Sequence, residues 1–412
     1  MVGRDESPSR KVTPYHVPRM FASRTNWRLE PNRFTRALEE HRRSGKEIFD
    51  LTASNPTVCG FAYPEEEILA ALAGRGALQY APESKGLRGA REAVAAYYTG
   101  RRGFTGARGS VDPEHILLTS GTSEAYSHIF RLLCEPGDEI LVPAPSYPLF
   151  EFLADLADIR LVPYPLLYDH GWQMDVASLR AAITLRSRAM LVVHPNNPTG
   201  SFVKPSEAAA LAEICAERNM ALVADEVFLD YVTGAEPARS FSGDNPALTF
   251  TLSGLSKISL LPQMKLAWVV VSGPPALVQS AVERLEVIAD TYLSPGTPVQ
   301  LALPKFLALR QGLQGQVNQR IAANLSFMDM ALHDSSVLTR LVREGGWYAV
   351  LRAPVTGADE DLAIELLQRC SVLVHPGHFF NFSQDGFLVL SLITPEKQFQ
   401  EGVWRLKNFF DR

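Results

Sequence analysis

The chain of 412 residues carries a formal net charge of −5 at pH 7 with acidic and basic residues interspersed, and 46% of its residues are hydrophobic. This length suggests about two or three domains, and the apolar share is enough for a sizeable core. Because no basic face or tail is present, the composition argues against binding of nucleic acid or of an anionic membrane. Small-molecule chemistry is therefore the favoured class of function.

Cysteine spacing and N-terminal polarity bear on the compartment. The cysteines Cys59, Cys134, Cys215 and Cys370 form no Cys-x-x-Cys pair, which argues against a disulfide framework and a structural zinc site. Residues 1–14 are polar and charged, so we expect neither a secretory signal nor a membrane span. We expect this segment to fray or to lie across a partner subunit. These features predict a cytoplasmic protein.

The order of apolar runs and helical patterns predicts an α/β fold of two domains. From about Pro113 to Ser272, strands alternate with helical patterns, as in a mostly parallel central sheet with crossover helices. We predict a large domain at residues 58–299 and a smaller α+β domain formed by residues 1–57 and 300–412. The predicted elements of the smaller domain are a segment at Phe34–Thr57, helices at Leu301–Gly312 and Ile321–Glu344, strands at Trp347–Arg352 and Phe387–Leu392, and a closing helix at Pro395–Phe410.

The first candidate binding element follows an apolar run, Ile116–Leu118, which predicts a buried strand. A helical pattern then extends from Glu124 to about Leu133. Backbone N–H groups of Gly121, Thr122 and Ser123 at the start of that helix, aided by its dipole, suit a phosphate dianion. Taken alone, the motif is more often an ordinary capped turn.

Three more candidate side chains follow predicted buried strands, where ligands of α/β sheets gather. They are Tyr147 after Glu139–Val142, Asn197 in the turn after Ala189–Val193, and Asp225 after Met220–Ala224. An aromatic ring, an amide and a buried carboxylate suit the face, the ring hydroxyl and the protonated nitrogen of a pyridine. Each also has a structural interpretation, as a core tyrosine, a turn held rigid by proline and a loop-capping aspartate.

A lysine between small residues completes the pattern. Lys257 lies in Ser253-Gly254-Leu255-Ser256-Lys257-Ile258, and Lys265 stands eight residues further on. A lysine can form an imine with an aldehyde cofactor, although a surface lysine beside serines is the ordinary case. A phosphate turn, an amide, a carboxylate and a lysine in this order together describe one cofactor, pyridoxal 5'-phosphate.

On these motifs the chain resembles the class I and II aminotransferases, which are fold type I pyridoxal-phosphate-dependent enzymes, from about Leu51 to the C-terminus. The resemblance implies that Lys257 carries the cofactor as an aldimine and then moves a proton between the substrate α-carbon and the cofactor C4′. It also implies cofactor binding by Tyr80, Gly121, Thr122, Ser123, Tyr147, Asn197, Asp225, Ser256 and Lys265. Because Tyr80 matches a family tyrosine that reaches the phosphate of the neighbouring subunit, a homodimer with shared active sites is expected.

The resemblance implies an aminotransferase that moves an amino group from an amino acid to a 2-oxo acid. A lyase or decarboxylase on the same fold stays open, because the same substrate carbanion can expel a β-substituent. A non-catalytic protein that binds pyridoxal phosphate is a third hypothesis. We expect no metal site, since His375 and His378 have no acidic or third histidine ligand close in sequence; one of the two could instead donate to a substrate.

Three positions depart from the family pattern. Phe228 stands where a tyrosine usually donates to the cofactor's phenolic oxygen, and phenylalanine cannot donate. Lys265 stands where arginine is usual, so the charge is kept and the bidentate fork is lost. Val389 occupies the position of the arginine that clamps the substrate α-carboxylate.

The absence of an arginine at position 389 leaves alternatives open. In the first alternative, another arginine binds the substrate α-carboxylate. Its candidates are Arg352, Arg24 and Arg28, although each also fits a solvated surface charge. Alternatively, the substrate lacks a carboxylate or binds it differently, or the chain binds the cofactor without the usual turnover.

Overall fold

The computed structural model describes residues 20–101, 110–233, 238–335, 337–354 and 357–411. The N-terminal residues 1–14, for which we predicted fraying or contact with a partner, lie outside this described part. Within it, no helix has the combination of length and apolarity that crossing a membrane requires.

The strands of the described residues form sheets of two, four and eight strands. In chain order they are β1 (Phe49–Asp50), β2 (Ile116–Thr119), β3 (Glu139–Ala144), β4 (Arg160–Tyr168), β5 (Trp172–Met174), β6 (Ser187–Val193), β7 (Ala221–Asp225), β8 (Thr249–Gly254), β9 (Ala267–Ser272), β10 (Thr339–Arg340), β11 (Tyr348–Arg352), β12 (Val372–Leu373), β13 (His375–Pro376) and β14 (Phe387–Ser391).

The α-helices alternate with these strands through the middle of the chain and cluster at its two ends. They are α1 (Arg33–Arg43), α2 (Glu65–Leu72), α3 (Arg88–Thr99), α4 (Thr122–Leu133), α5 (Phe150–Leu156), α6 (Val176–Ala182), α7 (Pro205–Arg218), α8 (Leu255–Ile258), α9 (Pro275–Tyr292), α10 (Thr297–Leu332), α11 (Asp359–Cys370) and α12 (Glu396–Phe410).

The large sheet has the strand order β2-β9-β8-β7-β6-β3-β4-β5. Strands β8, β7, β6, β3 and β4 are parallel to one another, and β9 runs antiparallel between β2 and β8. Strands β2 and β8 therefore point the same way, and strands of one direction end together at one edge of the sheet. The prediction of an α/β fold with a mostly parallel central sheet is confirmed.

Both faces of this sheet are buried, as parallel sheets require. Along β7, Ala221 and Val223 pack in one apolar cluster with Phe130 of α4. Leu222 and Ala224 point to the other face and pack with Leu211 of α7. Because both faces are covered, the strands have the continuous hydrophobic runs from which they were predicted.

A smaller antiparallel sheet has the order β10-β11-β14-β13. One face packs on the helices of the chain ends through side chains such as Ala349 and Leu390. The other face carries Val350 and Val389, which pair across β11 and β14 and pack in a separate cluster with Trp172. This second cluster joins the small sheet to the hairpin β4-β5 of the large sheet.

Helix α10 differs from the prediction of two helices at Leu301–Gly312 and Ile321–Glu344, because it runs without a break from Thr297 to Leu332. Interior glycines such as Gly312 each cost a helix about 1 kcal/mol relative to alanine. The neighbouring side chains Leu313 and Val317 are buried in the small-domain core, and burying a Leu or Val contributes about 1.5–3 kcal/mol. Packing therefore outweighs the local preference for a break.

The second predicted helix was also wrong at its C-terminal end. Helix α10 ends at Leu332, and residues 339–340 form β10, which pairs with Arg352 and Leu351 of β11. Pairing with β11 therefore makes residues 339–340 a strand and not the end of a helix. The domain boundary that we predicted between residues 299 and 300 falls inside α10.

Candidate active site

Five motifs lie at the same edge of the large sheet, because each follows the carboxyl end of a strand of the same direction. The strand ends bring Gly121 after β2, Tyr147 after β3, Asn197 after β6, Asp225 at the end of β7 and Lys257 after β8 to this edge. Ligands of open α/β sheets bind in the crevice outside such ends.

The turn before α4 combines a helix start with an ammonium group. A Cβ placed on Gly121 would lie 3.7 Å from Nζ of Lys265. The first N–H groups of α4, at Thr122 and Ser123, have no acceptor within a helix. The Ser120 N–H is already taken, because it donates to Glu124 Oε2 at 2.6 Å. The helix start and the Lys265 charge together make this turn suited to an anion.

Lys257 lies in the single turn of α8, and its backbone carbonyl accepts a 2.6 Å hydrogen bond from the Tyr231 hydroxyl. Its ammonium lies 4.7 Å from the ring centre of Trp347 and 5.6 Å from that of Phe228. Burial lowers the pKa of Lys257 to about 8, although the charge of Asp225 acts in the opposite direction. A substantial fraction of neutral amine near pH 7 to 8 makes this lysine a nucleophile and a base.

Asp225 is a buried carboxylate with donors on both oxygens. The Tyr126 hydroxyl donates to Oδ2 at 2.8 Å, and the Val227 N–H donates to Oδ1 at 3.1 Å. Desolvation raises the pKa of Asp225 above its usual value, and these donors together with Lys257 oppose the rise. A cation placed beside this carboxylate would stabilise its charged form.

The turns after β3 and β6 hold each other in place. Asn196 Nδ2 donates to the Pro145 carbonyl at 3.0 Å and to Thr199 Oγ1 at 2.9 Å. The neighbouring Asn197 is also buried, yet its Oδ1 has no hydrogen-bond partner among the described residues. A buried polar group without a partner is uncommon and calls for a ligand or a water. The Tyr147 ring is partly exposed and meets Phe150 edge to face at 5.9 Å.

The donor set at this edge fits a phosphorylated pyridine aldehyde. The anion-binding turn suits the phosphate, the Asp225 carboxylate suits a protonated ring nitrogen, and the unpartnered Asn197 suits the ring hydroxyl. Among the described residues, no group of three or more His, Cys, Asp or Glu side chains is arranged to hold a metal ion.

Comparisons with known proteins agree with this class of site. Residues 46–406 match the family model described as "Aminotransferase class I and II". The glutamate-pyruvate aminotransferase AlaA of Haemophilus influenzae is 27% identical over 90% of this chain and 92% of its own. AlaA of Escherichia coli K12 is 31% identical over 67% of this chain and 66% of its own. The crystal structure of an aminotransferase from Escherichia coli superposes with a TM-score of 0.79 at 26% identity, covering 91% of this chain and 94% of that one.

The fold and the site therefore define a fold type I enzyme that transfers amino groups. The chain belongs to the class I and II aminotransferase family, and pyridoxal phosphate is the cofactor that this family implies.

The structure also places the departures that the sequence showed. Phe228 is buried against Trp347, with ring centres 5.3 Å apart. Val389 is fully buried in the cluster with Trp172, so its position offers an apolar wall. His375 pairs with Val389 across the strands, and burial lowers the pKa of His375 to about 4.

The arginines that we expected to replace the missing one are exposed and engaged elsewhere. Arg24 forms an ion pair with Asp158, and Arg352 lies over the rings of Tyr168 and Phe387. Arg28 is also exposed. None of the three presents a buried guanidinium to the strand ends.

Sequence reasoning missed three residues of the site region. Tyr126 lies one turn into α4, Trp347 follows a glycine pair just before β11, and Arg343 is a buried arginine four residues earlier. The closeness of Tyr126 to the Gly121 motif was a usable signal, because a side chain one turn into a helix still lies near its start.

Proposed function

We propose that this enzyme uses pyridoxal phosphate to transfer the amino group of a small amino acid, such as L-alanine or L-glutamate, to a 2-oxo acid such as pyruvate. The relatives AlaA of Haemophilus influenzae and AlaA of Escherichia coli are named glutamate-pyruvate aminotransferases. The observation that carries the proposal is the convergence of Lys257, Asp225 and the Gly121 turn at one sheet edge.

The residues of the strand ends hold the cofactor, which when bound supplies an electron sink for the substrate carbanion. The N–H groups of Gly121, Thr122 and Ser123, together with Ser256 and Lys265, would hold the phosphate. Asp225 keeps its charge beside the ring nitrogen, because Tyr126 and Val227 already donate to it. Asn197 would bond the ring hydroxyl through its side-chain amide, whose Oδ1 has no partner among the described residues, and Tyr147 would cover the ring face.

Lys257 is the residue that moves protons. With its pKa at about 8, the Lys257 amine would act as the base that takes a proton from the substrate α-carbon and as the acid that gives it back. The rings of Trp347 and Phe228 under the ammonium fix its direction and exclude water. The Tyr231 hydroxyl anchors the backbone that carries it.

The proposal includes a cytoplasmic homodimer with shared active sites. In the single chain the Tyr80 side chain is 81% exposed and Leu78 is 90% exposed, and an exposed apolar segment of this kind suits a subunit contact. Tyr80 would then reach the phosphate bound by the partner. The cysteines Cys59, Cys134, Cys215 and Cys370 are free thiols, which suits a reducing compartment.

The test is an absorbance scan of the purified protein loaded with pyridoxal phosphate, before and after single amino acids or simple amines are added without any 2-oxo acid. L-Alanine or L-glutamate should convert the cofactor to pyridoxamine phosphate. Lys257→Ala should lower the rate of this half-reaction by roughly four orders of magnitude or more.

Two outcomes would contradict the proposal. If a donor with a β-substituent, such as L-serine, loses that substituent and yields a 2-oxo acid and ammonia without pyridoxamine phosphate, the chain is a lyase on the same fold. If the cofactor binds and no donor changes its absorbance, the chain binds the cofactor without turnover. Lys257→Arg is the matched control for the charge, because it keeps a positive charge over the Trp347 ring but cannot form an imine or act as a base near neutral pH. It should be as inactive as Lys257→Ala.

A further inference from the structure

We call the region between the strand ends of the large sheet and the small-sheet face that carries Val389 the cleft. On its small-sheet side, position 389 offers no cation, as the sequence indicated. Val389 is fully buried and packs with Val350, Leu341 and Trp172. An α-carboxylate placed against these side chains would lose its hydration without gaining a partner. A carboxylate-bearing substrate therefore needs a cation from another part of the small domain.

Arg343 is a buried cation that has no counter-charge among the described residues. Arg343 is only 8% exposed, and its Nη2 donates to the Gly346 carbonyl at 2.7 Å. Its Nε and Nη1 have no hydrogen-bond partner among the described residues. Across the described residues, no acidic side chain forms an ion pair with Arg343. The neighbouring Glu344 pairs with Lys204, and Asp329 pairs with Arg340. A buried guanidinium with open donors is costly for a folded protein.

The burial of Arg343 also affects its proton affinity. Desolvation, followed by the charge of Arg340, lowers the pKa of Arg343 to about 10. The guanidinium is still protonated near neutral pH. An anion beside the guanidinium would oppose both effects and raise the pKa of Arg343 again.

Arg343 lies next to the candidate site, as the alternation of buried and exposed residues after β10 indicates. Leu341 extends the pairing of β10, because its N–H donates to the Val350 carbonyl at 2.8 Å. Leu341 and Arg343 are buried while Val342 between them is exposed, which is the alternation of an extended segment. Arg343 therefore lies on the side of this segment that faces the Val389 cluster, which includes Leu341.

A second set of contacts joins Arg343 to the turn that carries Asn197. A Cβ placed on Gly200 would lie 3.1 Å from the Arg343 Cβ, and the Glu344 N–H donates to the Gly200 carbonyl at 3.1 Å. The carbonyl that binds Arg343 belongs to Gly346, whose neighbour Trp347 lies under the Lys257 ammonium. Arg343 is thus placed between the Asn197 turn and the residues around Lys257.

We propose that Arg343 binds the α-carboxylate of the amino acid and 2-oxo acid substrates, in place of the arginine that is absent at position 389. This inference rests on the proposed function. Nη2 keeps one hydrogen after it donates to the Gly346 carbonyl, and that hydrogen forms an edge with either the open Nε or the open Nη1. One edge of the guanidinium is therefore free to pair with both oxygens of a carboxylate. The substrate class follows, since the enzyme requires a free α-carboxylate and discriminates against amines and amides that lack one.

The experiment compares the cofactor-loaded wild type with Arg343→Met and Arg343→Lys. For the wild type, kcat/KM should be much higher for L-alanine than for L-alaninamide, which lacks the carboxylate. Arg343→Met should lower kcat/KM for L-alanine by roughly 100-fold or more, mainly through KM, and should leave L-alaninamide almost unchanged. Arg343→Lys keeps the charge and should recover part of the loss. Arg352→Met is the matched control, because it makes the same substitution at an exposed arginine of β11.

A binding readout separates this inference from the proposed function. Inert carboxylates, propionate and glutarate, should raise the unfolding temperature of the loaded wild type and of Arg352→Met but not that of Arg343→Met. Without ligand, Arg343→Met should be as stable as the wild type or more stable, because an unpaired buried charge is replaced by an apolar side chain of similar volume.

The outcomes point in distinct directions. If Arg343→Met loses stability without ligand and loses L-alanine and L-alaninamide turnover equally, Arg343 is structural and the inference is overturned. If the carboxylates protect Arg343→Met as well as the wild type, it is overturned too. If the wild type transfers no amino group but is protected by carboxylates through Arg343, the proposed function fails while the carboxylate site stands.

Discussion

Two sides of the cleft differ in how their polar groups are partnered. On the strand-end side, Asp225 receives two hydrogen bonds, and Asn196 ties the turns after β3 and β6 together. On the small-domain side, Val389 lies in an apolar cluster, and Arg343 has two guanidinium nitrogens without a partner among the described residues. On the first side the protein itself satisfies the charged group, and only neutral groups such as Asn197 Oδ1 stay open. On the second side the charged group itself is left open for a ligand.

Binding of the cofactor depends on groups at particular positions, whereas binding of a substrate carboxylate depends on one charge. A cofactor with a phosphate, a ring nitrogen and an aldehyde needs several groups at defined distances, and five strand ends supply them together. A carboxylate needs one cation, and a long guanidinium can reach it from different strands. In this chain β14 carries the valine, and the segment after β10, two strands away in the small sheet, carries Arg343.

A charge forced into the apolar wall around Val389 should cost the most stability. Val389→Arg should lower the free energy of unfolding by about 3–5 kcal/mol, because a guanidinium would be buried without a partner beside Trp172 and Val350. Urea unfolding measures this. Val389→Ile, which adds volume but no charge, is the control and should cost about 1–3 kcal/mol. A Val389→Arg protein that stays stable and binds carboxylates more tightly would show that this wall is open to substrate.

The strand-end side is tested by removing the charge of Asp225 while keeping one of its two hydrogen bonds. In Asp225→Asn the side-chain oxygen can still accept from Tyr126 or Val227, but the charge beside the ring nitrogen is lost. Transfer from L-alanine should slow by about 10²–10³-fold, as for other single electrostatic groups in active sites. Tyr126→Phe removes one donor and should have the smaller effect. Equal rates for Asp225→Asn and the wild type would exclude a role for this carboxylate in the reaction.

The same contrast explains what the sequence could predict. Asp225, Asn197 and Lys257 each follow an apolar run within a few residues, so local patterns placed them at strand ends. Arg343 became visible only in the structure, because its burial depends on contacts with Gly200 and with the small sheet. The predicted break in α10 was wrong for the same reason. The glycines that suggested it are visible in the local sequence, whereas the packing of Leu313 depends on residues far away in the chain.

The pKa of Lys257 predicts a pH dependence on the strand-end side. The neutral amine captures the cofactor, so the capture rate of the cofactor-free protein should rise about tenfold per pH unit below about pH 8 and level off above it. An ordinary lysine would level off only near pH 10.4. Asp225→Asn should shift the plateau to lower pH, because the Asp225 charge raises the pKa of Lys257. Stopped-flow absorbance measures the rate, and a rise that continues to pH 10 would contradict the burial effect.

The smallest effect concerns Phe228, where the two sides of the cleft meet. Its ring lies 5.6 Å from Nζ of Lys257 and packs on Trp347 and Tyr348. In Phe228→Tyr a hydroxyl donor would stand beside the cofactor's ring oxygen and stabilise its deprotonated form. The pH midpoint of the absorbance change of the bound cofactor should fall by about one unit, which corresponds to about 1.4 kcal/mol. Phe228→Leu, which adds no donor, is the control. Equal midpoints for Phe228→Tyr and the wild type would show that position 228 does not reach the cofactor, and the strand-end side of the cleft would then end at Asp225.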